Sequence, residues 1–322
     1  MLGSAVGDAI GEIILYRAGR GFVSIDDLSL MIDRSTLLRD ISTFPELQYT
    51  DDTHMAIGIA EALSKSRTLE LNEIKRRFLA NYQAEPGRGY GLGPSAILSF
   101  VTFGRMAYDE AVKYVNSQYT DGSRGNGAVM RTHPVGLRYH DTPNLSNIAS
   151  NIAGLTHTHP VAQDAAVILS HGIAYLLRTG NRVFSRSGFL KHLSRVACTT
   201  TMQDKLVLLR ATTEDQTEPD RAIVKLGCGC EAHTSLPFAL YAFLRHPDSF
   251  EECIMTAVLT GGDTDTLGAM AGALCGTRVG IHHIPQDWIR KLENRAYISK
   301  LARRLYRVHR QSVRVMELSN ER

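Results

Sequence analysis

Apolar residues recur along most of the chain at the three-to-four-residue spacing of one helix face, and no convincing series of alternating positions reads as strands. The spacing predicts helices over DDTHMAIGIAEALSKS (51–66) and over LNEIKRRFLANYQAE (71–85), the latter stopped by Pro86 and Gly87. A shorter helix is predicted in DEAVKYVNSQY (109–119). SRSGFLKHLSRVA (185–197), SLPFALYAFLRHP (235–247) and SFEECIMTAVLTGG (249–262) each have a polar start, and the last two end on Pro and Gly, so each reads as a helix. HPVAQDAAVILSHGIAYLLRTG (159–180) is apolar nearly all round and closes on Gly180, which predicts a central, buried helix. Two glycine-rich stretches, QAEPGRGYGLGPSA (83–96) and TDGSRGNGAVMRTHP (120–134), read as loops. No low-complexity linker divides the chain, so one all-α domain over residues 1–322 is expected, with functional loops at one end.

The C-terminal segment adds a second kind of pattern. Trp288, Ile289, Leu292, Ile298, Leu301 and Leu305 fall on or near one helical stripe, while residues 287–322 carry 10 Lys/Arg against 4 Asp/Glu. That is +6 for this segment in a chain of net charge +3, and it predicts a docked terminal helix with a solvated basic face. So mild a net charge does not call for a nucleic-acid partner. At 43% apolar and 21% charged, the 322 residues are enough to bury a large core. No apolar run approaches the roughly 18 residues of a membrane span, and MLGSAVGDAIG lacks the basic start of a leader. Five irregularly spaced cysteines read as reduced thiols, so a cytoplasmic monomer is expected. Cys228, Cys230 and His233 have some look of a zinc cluster but lack a second ligand pair, and read as free thiols.

Two features change this picture from architecture to chemistry. In LTGGDTDTLGAMAGALCG, Gly268, Gly272 and Gly276 share one helix face, which lets a neighbouring helix approach closely. Ahead of them stand Asp263, Thr264, Asp265 and Thr266, more negative charge than one helix cap needs. The same design precedes the 51–66 helix, where Thr50, Asp51, Asp52 and Thr53 are consecutive. Packed side by side, the two helix starts would gather four carboxylates, which repel unless cations neutralise them. Hard divalent ions such as Mg²⁺ or Mn²⁺ take such oxygen ligands, and a pair of them can hold a diol or phosphate and activate water. Two ordinary caps are the alternative reading of the same residues.

At these residues the sequence resembles the ADP-ribosylglycohydrolase family, which includes dinitrogenase reductase-activating glycohydrolase, the animal ADP-ribosylhydrolases and the J-crystallins. The resemblance runs in order through GSAVGDAIG (3–11), YTDDTHMA, GSRGNGAVMR (122–131), LTHTHP (155–160) and GGDTDTLGAMAGALCG. It implies an all-α, compact orthogonal multi-helix bundle with a binuclear Mg²⁺ or Mn²⁺ centre. The implied ligands are Thr50, Asp51, Asp52, Asp263, Asp265 and Thr266, with Asp51, Asp52 and Asp265 also serving catalysis. The implied reaction replaces the group on ribose C1 by water, releasing ADP-ribose from a modified side chain or another acceptor. Gly122, Ser123, Arg124, Gly125, Asn126 and Gly127 correspond to the segment that wraps the diphosphate and distal ribose, where glycines let backbone N–H groups approach phosphate oxygens. Arg124 stands where relatives often carry an aromatic for adenine, and a guanidinium plane can stack there too. His157 matches a family histidine near the phosphates. Asp8 of the first motif is expected to support the site through hydrogen bonds, direct substrate contact being the alternative.

The sequence departs from the family at one position. Active members usually carry a glutamate seven residues after the aspartate of GDAIG, on a mobile loop, where it ligates metal or positions water. Leu15 stands there, and Glu12, three residues earlier, is the candidate substitute. Two readings remain: a metal-dependent ADP-ribosyl-acceptor hydrolase, or an impaired ADP-ribose-binding or structural homologue. Hydrolysis of a different glycoside by the same metals is a third.

Overall fold

α1 (Leu2–Arg17) and α15 (Thr264–Val279), far apart in the sequence, lie against each other through glycine. A Cβ on Gly7 would overlap the Gly268 carbonyl oxygen, one on Gly3 that of Gly272, and one on Gly11 that of Thr264. The reverse holds as well, since Cβ atoms on Gly268 and Gly272 would meet the carbonyls of Gly7 and Gly3. The glycine face of GGDTDTLGAMAGALCG thus has a partner of the same period, Gly3, Gly7 and Gly11, in the first sequence motif.

The computed structural model describes residues 1–19, 32–66, 68–180 and 182–320, and the side chains of 312–320 are outside that description. Among the described residues there are seventeen α-helices and no strands. After α1 come α2 (Arg34–Thr43), α3 (Asp51–Lys65), α4 (Leu71–Ala84), α5 (Leu92–Thr102) and α6 (Tyr108–Asn116). The middle of the chain forms α7 (His133–Arg138), α8 (Leu145–Ala153), α9 (Pro160–Thr179), α10 (Arg186–Val196) and α11 (Thr200–Glu214). α12 (Pro219–Leu226), α13 (Ala232–Arg245) and α14 (Phe250–Val258) lead into α15, then α16 (Gln286–Lys291) and α17 (Arg295–Asn320). α15 is central, packed by α1, α9, α13 and α14. α9 is the long apolar helix of the sequence pattern. It has the length and composition of a membrane span, contrary to the expectation from apolar runs, but 72% of that window is buried inside the protein, as in a core helix.

The structure amends three other expectations. α5 begins inside the glycine-rich 83–96 stretch, with Pro94 in its first turn, where a missing N–H costs nothing. α11 and α12 form where no helix was read; Thr199 caps the first and Pro219 opens the second. The C-terminal stripe is split: the chain leaves helix at Leu292, exchanges backbone hydrogen bonds with Leu47, and turns at Asn294, whose φ of +52° suits asparagine. All six stripe residues are nevertheless buried, with α17 docked on α3 and α7.

The glycine seam makes a direct prediction. Gly7→Ala forces α1 and α15 apart and lowers unfolding stability by about 3 kcal/mol or more. Gly87→Ala, with open space around its Cβ, stays within about 0.5 kcal/mol of the parent. Urea unfolding of the two variants reads the difference.

Candidate active site

α1 holds both acidic helix starts. Asp8, one residue past Gly7, is fully buried and accepts four hydrogen bonds from the start of α3. They come from Thr50 N–H (3.0 Å), Thr50 Oγ1 (2.9 Å), Thr53 N–H (3.0 Å) and Thr53 Oγ1 (2.6 Å). On the other side, Thr264 Oγ1 donates to the Gly11 carbonyl at 2.9 Å, fixing the start of α15. The approach to α3 is pinned from behind, where Arg88 pairs with Glu293 and donates to the Tyr49 carbonyl.

The Thr and Asp residues therefore divide by task. Thr50, Thr53 and Thr264 tie the helix starts to α1, whereas Asp51, Asp52, Asp263, Asp265 and Thr266 line a cavity of about 850 Å³. The two clusters touch across it, with Thr266 Oγ1 3.4 Å from Asp52 Oδ2. Thr50 caps α3 through Asp52 N–H, but Asp263, at the cap position of α15, makes no capping bond. Its carboxylate instead accepts from Asn126 Nδ2 at 2.6 Å. Capping alone does not account for it.

Burial, followed by the Asp8 and Asp263 charges, pushes Asp51 up to about 8. Asp52 and Asp265 are also raised, by burial first and then by Asp265 and Asp263 respectively. Asp8 is raised to about 7 by burial, against the four hydrogen bonds that favour its charged form. Asp52 Oδ1 is buried and has no hydrogen-bond partner among the described residues. Arg131 is a fully buried cation that acts on Asp51 and Asp52 through space, yet its N–H groups point to Thr156 Oγ1 (2.6 Å) and Met55 Sδ (3.6 Å). Crowded, desolvated carboxylates with an orphaned oxygen form a donor set that suits hard divalent cations.

The opposite wall is the 122–127 loop, and all six of its residues line the cavity together with His157. Its glycines serve a purpose different from the one expected. The N–H groups of Gly122, Ser123, Gly125 and Asn126 are engaged by Tyr119 O, Asn116 Oδ1, Ser123 Oγ and Cys230 O. Those of Arg124 and Gly127 remain. A Cβ at Gly122 would strike Thr158 and His159, and one at Gly125 or Gly127 would come within about 3 Å of the His157 ring. The glycines let the loop close over that imidazole. Arg124 is exposed, with Nε 3.0 Å from His159 Nε2.

His157 is held from below. Its Nδ1 lies 2.7 Å from Thr156 Oγ1, which already accepts from Arg131. The Thr156 hydroxyl proton then has Nδ1 as its acceptor, which places the ring proton on Nε2, the nitrogen nearest Gly125. Burial and Arg131 lower the His157 pKa to about 3.

Three sequence candidates lie outside this cavity: Asp8, Thr50 and Glu12. Glu12 and Thr50 line a separate cleft of about 360 Å³ with Tyr49, Glu85 and Arg88, and Leu15 is half-buried on α1. Among the described residues Cys228, Cys230 and His233 do not draw together as a ligand set; Cys230, exposed, lines the cavity with its thiol against Asp263, and the segment's backbone joins the walls. Cys228 O accepts from Asp263 N–H and Cys230 O from Asn126 N–H, tying the two walls to one tripeptide. Sequence reading did not find Arg131, whose signal is a lone arginine in the apolar run AVMRTHPV, nor the rim from Gly89 to Pro94, Tyr119 and Glu231.

The sequence profile of the ADP-ribosylglycohydrolase family matches residues 1–314. The chain belongs to that family. Among its relatives, ADP-ribosylhydrolase ARH3 of Homo sapiens is 27% identical, the alignment covering 97% of this chain and 93% of the relative. ARH3 of Xenopus tropicalis is 27% identical over 89% and 88%. ADP-ribosyl-[dinitrogen reductase] glycohydrolase of Rhodospirillum rubrum is 26% identical over 91% and 88%. A solved structure titled ADP-ribosylglycohydrolase-related protein complex superposes with a TM-score of 0.61, at 25% identity, over 96% of this chain and 97% of that one. The family resemblance drawn from the motifs and the all-α bundle are thereby both shown.

The support beneath His157 is testable. Because burial depresses its pKa, His157 stays neutral from pH 8 to 5 and its ¹⁵N resonances report the Nε2–H tautomer throughout. Its contribution to stability is lost only as pH falls below about 6.5, where the unfolded chain takes up the proton first. Thr156→Val removes the hydroxyl, lowers stability by about 2 kcal/mol and abolishes the preference for that tautomer.

Proposed function

We propose that the chain is an ADP-ribosyl-acceptor hydrolase that cleaves the bond at ribose C1 and releases ADP-ribose from a modified side chain or another acceptor. The observation that supports this most is the convergence of the two acidic helix starts on one cavity whose other wall is the 122–127 loop. Family membership and the names of its relatives point the same way.

Two Mg²⁺ or Mn²⁺ ions would be held by Asp51, Asp52, Asp263, Asp265 and Thr266, which line the cavity, and Thr50, whose hydroxyl proton goes to Asp8, would join them only through an oxygen lone pair from behind. When bound, they would neutralise the carboxylates and polarise the ribose hydroxyls and water they hold. Asp8 keeps the Asp51–Asp52 helix start in place, and Asn126 orients Asp263. Arg124 N–H, Gly127 N–H and His157 Nε2–H are the donors left on the loop side for a diphosphate. The Arg124 guanidinium, exposed at the rim, offers a plane for the base. A carboxylate oxygen of Asp51, Asp52 or Asp265 that is not bound to an ion would hold the attacking water against C1, where positive charge develops on the ring.

A second reading has its own observation. Leu15 is an apolar residue on α1, and Glu12 lines a different cleft, so neither supplies a carboxylate to the cavity. On that reading the chain binds ADP-ribose without turning it over.

Asp265→Asn is expected to lower kcat/KM for ADP-ribose release by at least about 10³-fold, measured on serine-linked, arginine-linked and nucleotide-linked substrates. Unchanged turnover in that variant removes Asp265 from the mechanism, and no turnover by the unaltered chain on any of these substrates with Mg²⁺ or Mn²⁺ present rules out the hydrolase assignment. Tight calorimetric binding of ADP-ribose by the unaltered chain, with no turnover on the panel, selects the second reading. Independently, adding Mg²⁺ or Mn²⁺ at a hundredfold excess over Kd raises Tm by about 4 °C for each ion bound. The Asp52→Asn/Asp265→Asn double variant loses that shift.

A further inference from the structure

A cluster away from the cavity joins the turn after α7 to the terminal helix α17. His140 Nδ1 lies 3.1 Å from the Leu137 carbonyl oxygen, and His309 Nδ1 lies 3.1 Å from that of Arg138. A carbonyl only accepts, so both Nδ1 atoms carry the ring proton, and in the neutral rings both Nε2 atoms are bare lone pairs. The rings stack with centroids 4.1 Å apart and planes tilted by 35°. His309 Nε2 lies 3.6 Å from Asp141 Oδ2, and one ligand atom from each of His140, Asp141 and His309 falls within 4.8 Å of the others. One nitrogen of each imidazole and a carboxylate oxygen therefore share one small space.

Arg138, at the end of α7, is the cation whose charge reaches both Asp141 and His309. His309 is only 6% exposed, and burial, then His140, works against a second proton on its ring, with Asp141 opposing. A histidine that gives Nδ1–H to a backbone carbonyl and keeps Nε2 bare is oriented as metal-ligating histidines are. We propose that His140 Nε2, His309 Nε2 and the Asp141 carboxylate bind one divalent ion of the Zn²⁺ class, with water as the fourth ligand. Tetrahedral bonds of about 2.0 Å bring ligand atoms to about 3.3 Å from one another, so the three must draw together slightly. Asp141 is exposed and His140 half-buried, which leaves room for that adjustment. Nitrogen ligands set this site apart from the oxygen-lined cavity and favour a borderline ion over Mg²⁺. Because the ligands come from the α7–α8 turn and from α17, the ion would fasten the terminal helix to the body of the protein.

Zinc titration by calorimetry at pH 7.5, with millimolar Mg²⁺ present to occupy oxygen sites, tests the proposal on the full chain. One Zn²⁺ is expected per chain, with affinity reduced about 100-fold or more in His309→Gln and in His140→Gln and retained in Asp265→Asn. Zn²⁺ should also raise Tm in the unaltered chain and not in His140→Gln. Co²⁺ in place of Zn²⁺ should give the intense visible bands of a four-coordinate site, absent from both histidine variants. His140→Gln, at the less buried position, keeps the test open if His309→Gln fails to fold. Zinc binding of equal strength in the histidine variants, or no zinc binding by the unaltered chain, overturns the proposal.

Discussion

The contact between α1 and α15 is the constraint on which the rest of the molecule depends. Two helices can touch backbone to backbone only where neither carries side chains, and here three glycines on each supply that face. An interior glycine costs about 1 kcal/mol of helix stability relative to alanine, so the seam survives because close packing more than offsets the loss. What the closeness achieves is positional. Asp8 and Gly11 lie on the helix that is pressed into α15, and each holds the start of a different acidic helix. A wider separation would carry the Asp51–Asp52 pair away from Asp263, Asp265 and Thr266, and the cavity would have carboxylates on one side only.

Electrostatics alone would push that assembly apart. Four buried aspartates and the half-buried Asp263 are held within reach of one another, and the fully buried cation nearby, Arg131, turns N–H groups to Thr156 and Met55 and leaves its Nε without a partner. The backbone resists the repulsion at several points. Asp8 receives hydrogen bonds from two threonines, Asn126 clasps Asp263, and the Cys228–Cys230 segment accepts one amide from each wall. Fourfold hydrogen bonding keeps Asp8 a structural acceptor, while the orphaned Asp52 Oδ1 faces the opposite condition. The fold thus holds one carboxylate with both oxygens partnered, Asp8, beside another, Asp52, that keeps a bare oxygen.

Much of this could be read from the sequence, for identifiable reasons. Helix starts with surplus carboxylates, a four-residue glycine period and an apolar terminal stripe are local patterns, and each marks what the residue does within its own element. The partner of the glycine face was harder to see, because Gly3, Gly7 and Gly11 lie some 250 positions away in a motif that suggests a turn as readily as a seam. The loop glycines were read as freeing amides for phosphate, whereas most of those amides are engaged and the missing side chains make room for His157. Arg131 escaped because burial of a lone arginine is a tertiary fact with almost no local signature. The break at Asn294 arises from pairing with Leu47, which periodicity cannot report.

The seam also sets when, during synthesis, a site can exist at all. Thr264 and Gly11 are 253 positions apart, so α1 leaves the ribosome long before its partner helix is made. At about 5–20 residues per second, that interval is on the order of tens of seconds. During it, the glycine face of α1 has no side chains with which to find a substitute, and Asp8 has nothing to hold in register with the second acidic cluster. Loop closure across most of the chain must precede the reward of contact, which makes this a late, long-range event in folding. A truncated chain ending before α15 would keep Asp51 and Asp52 and many of the helices, yet lack half of the acidic wall. The cavity is in this sense a timer of synthesis, formed only once α15 has been made and has returned to α1.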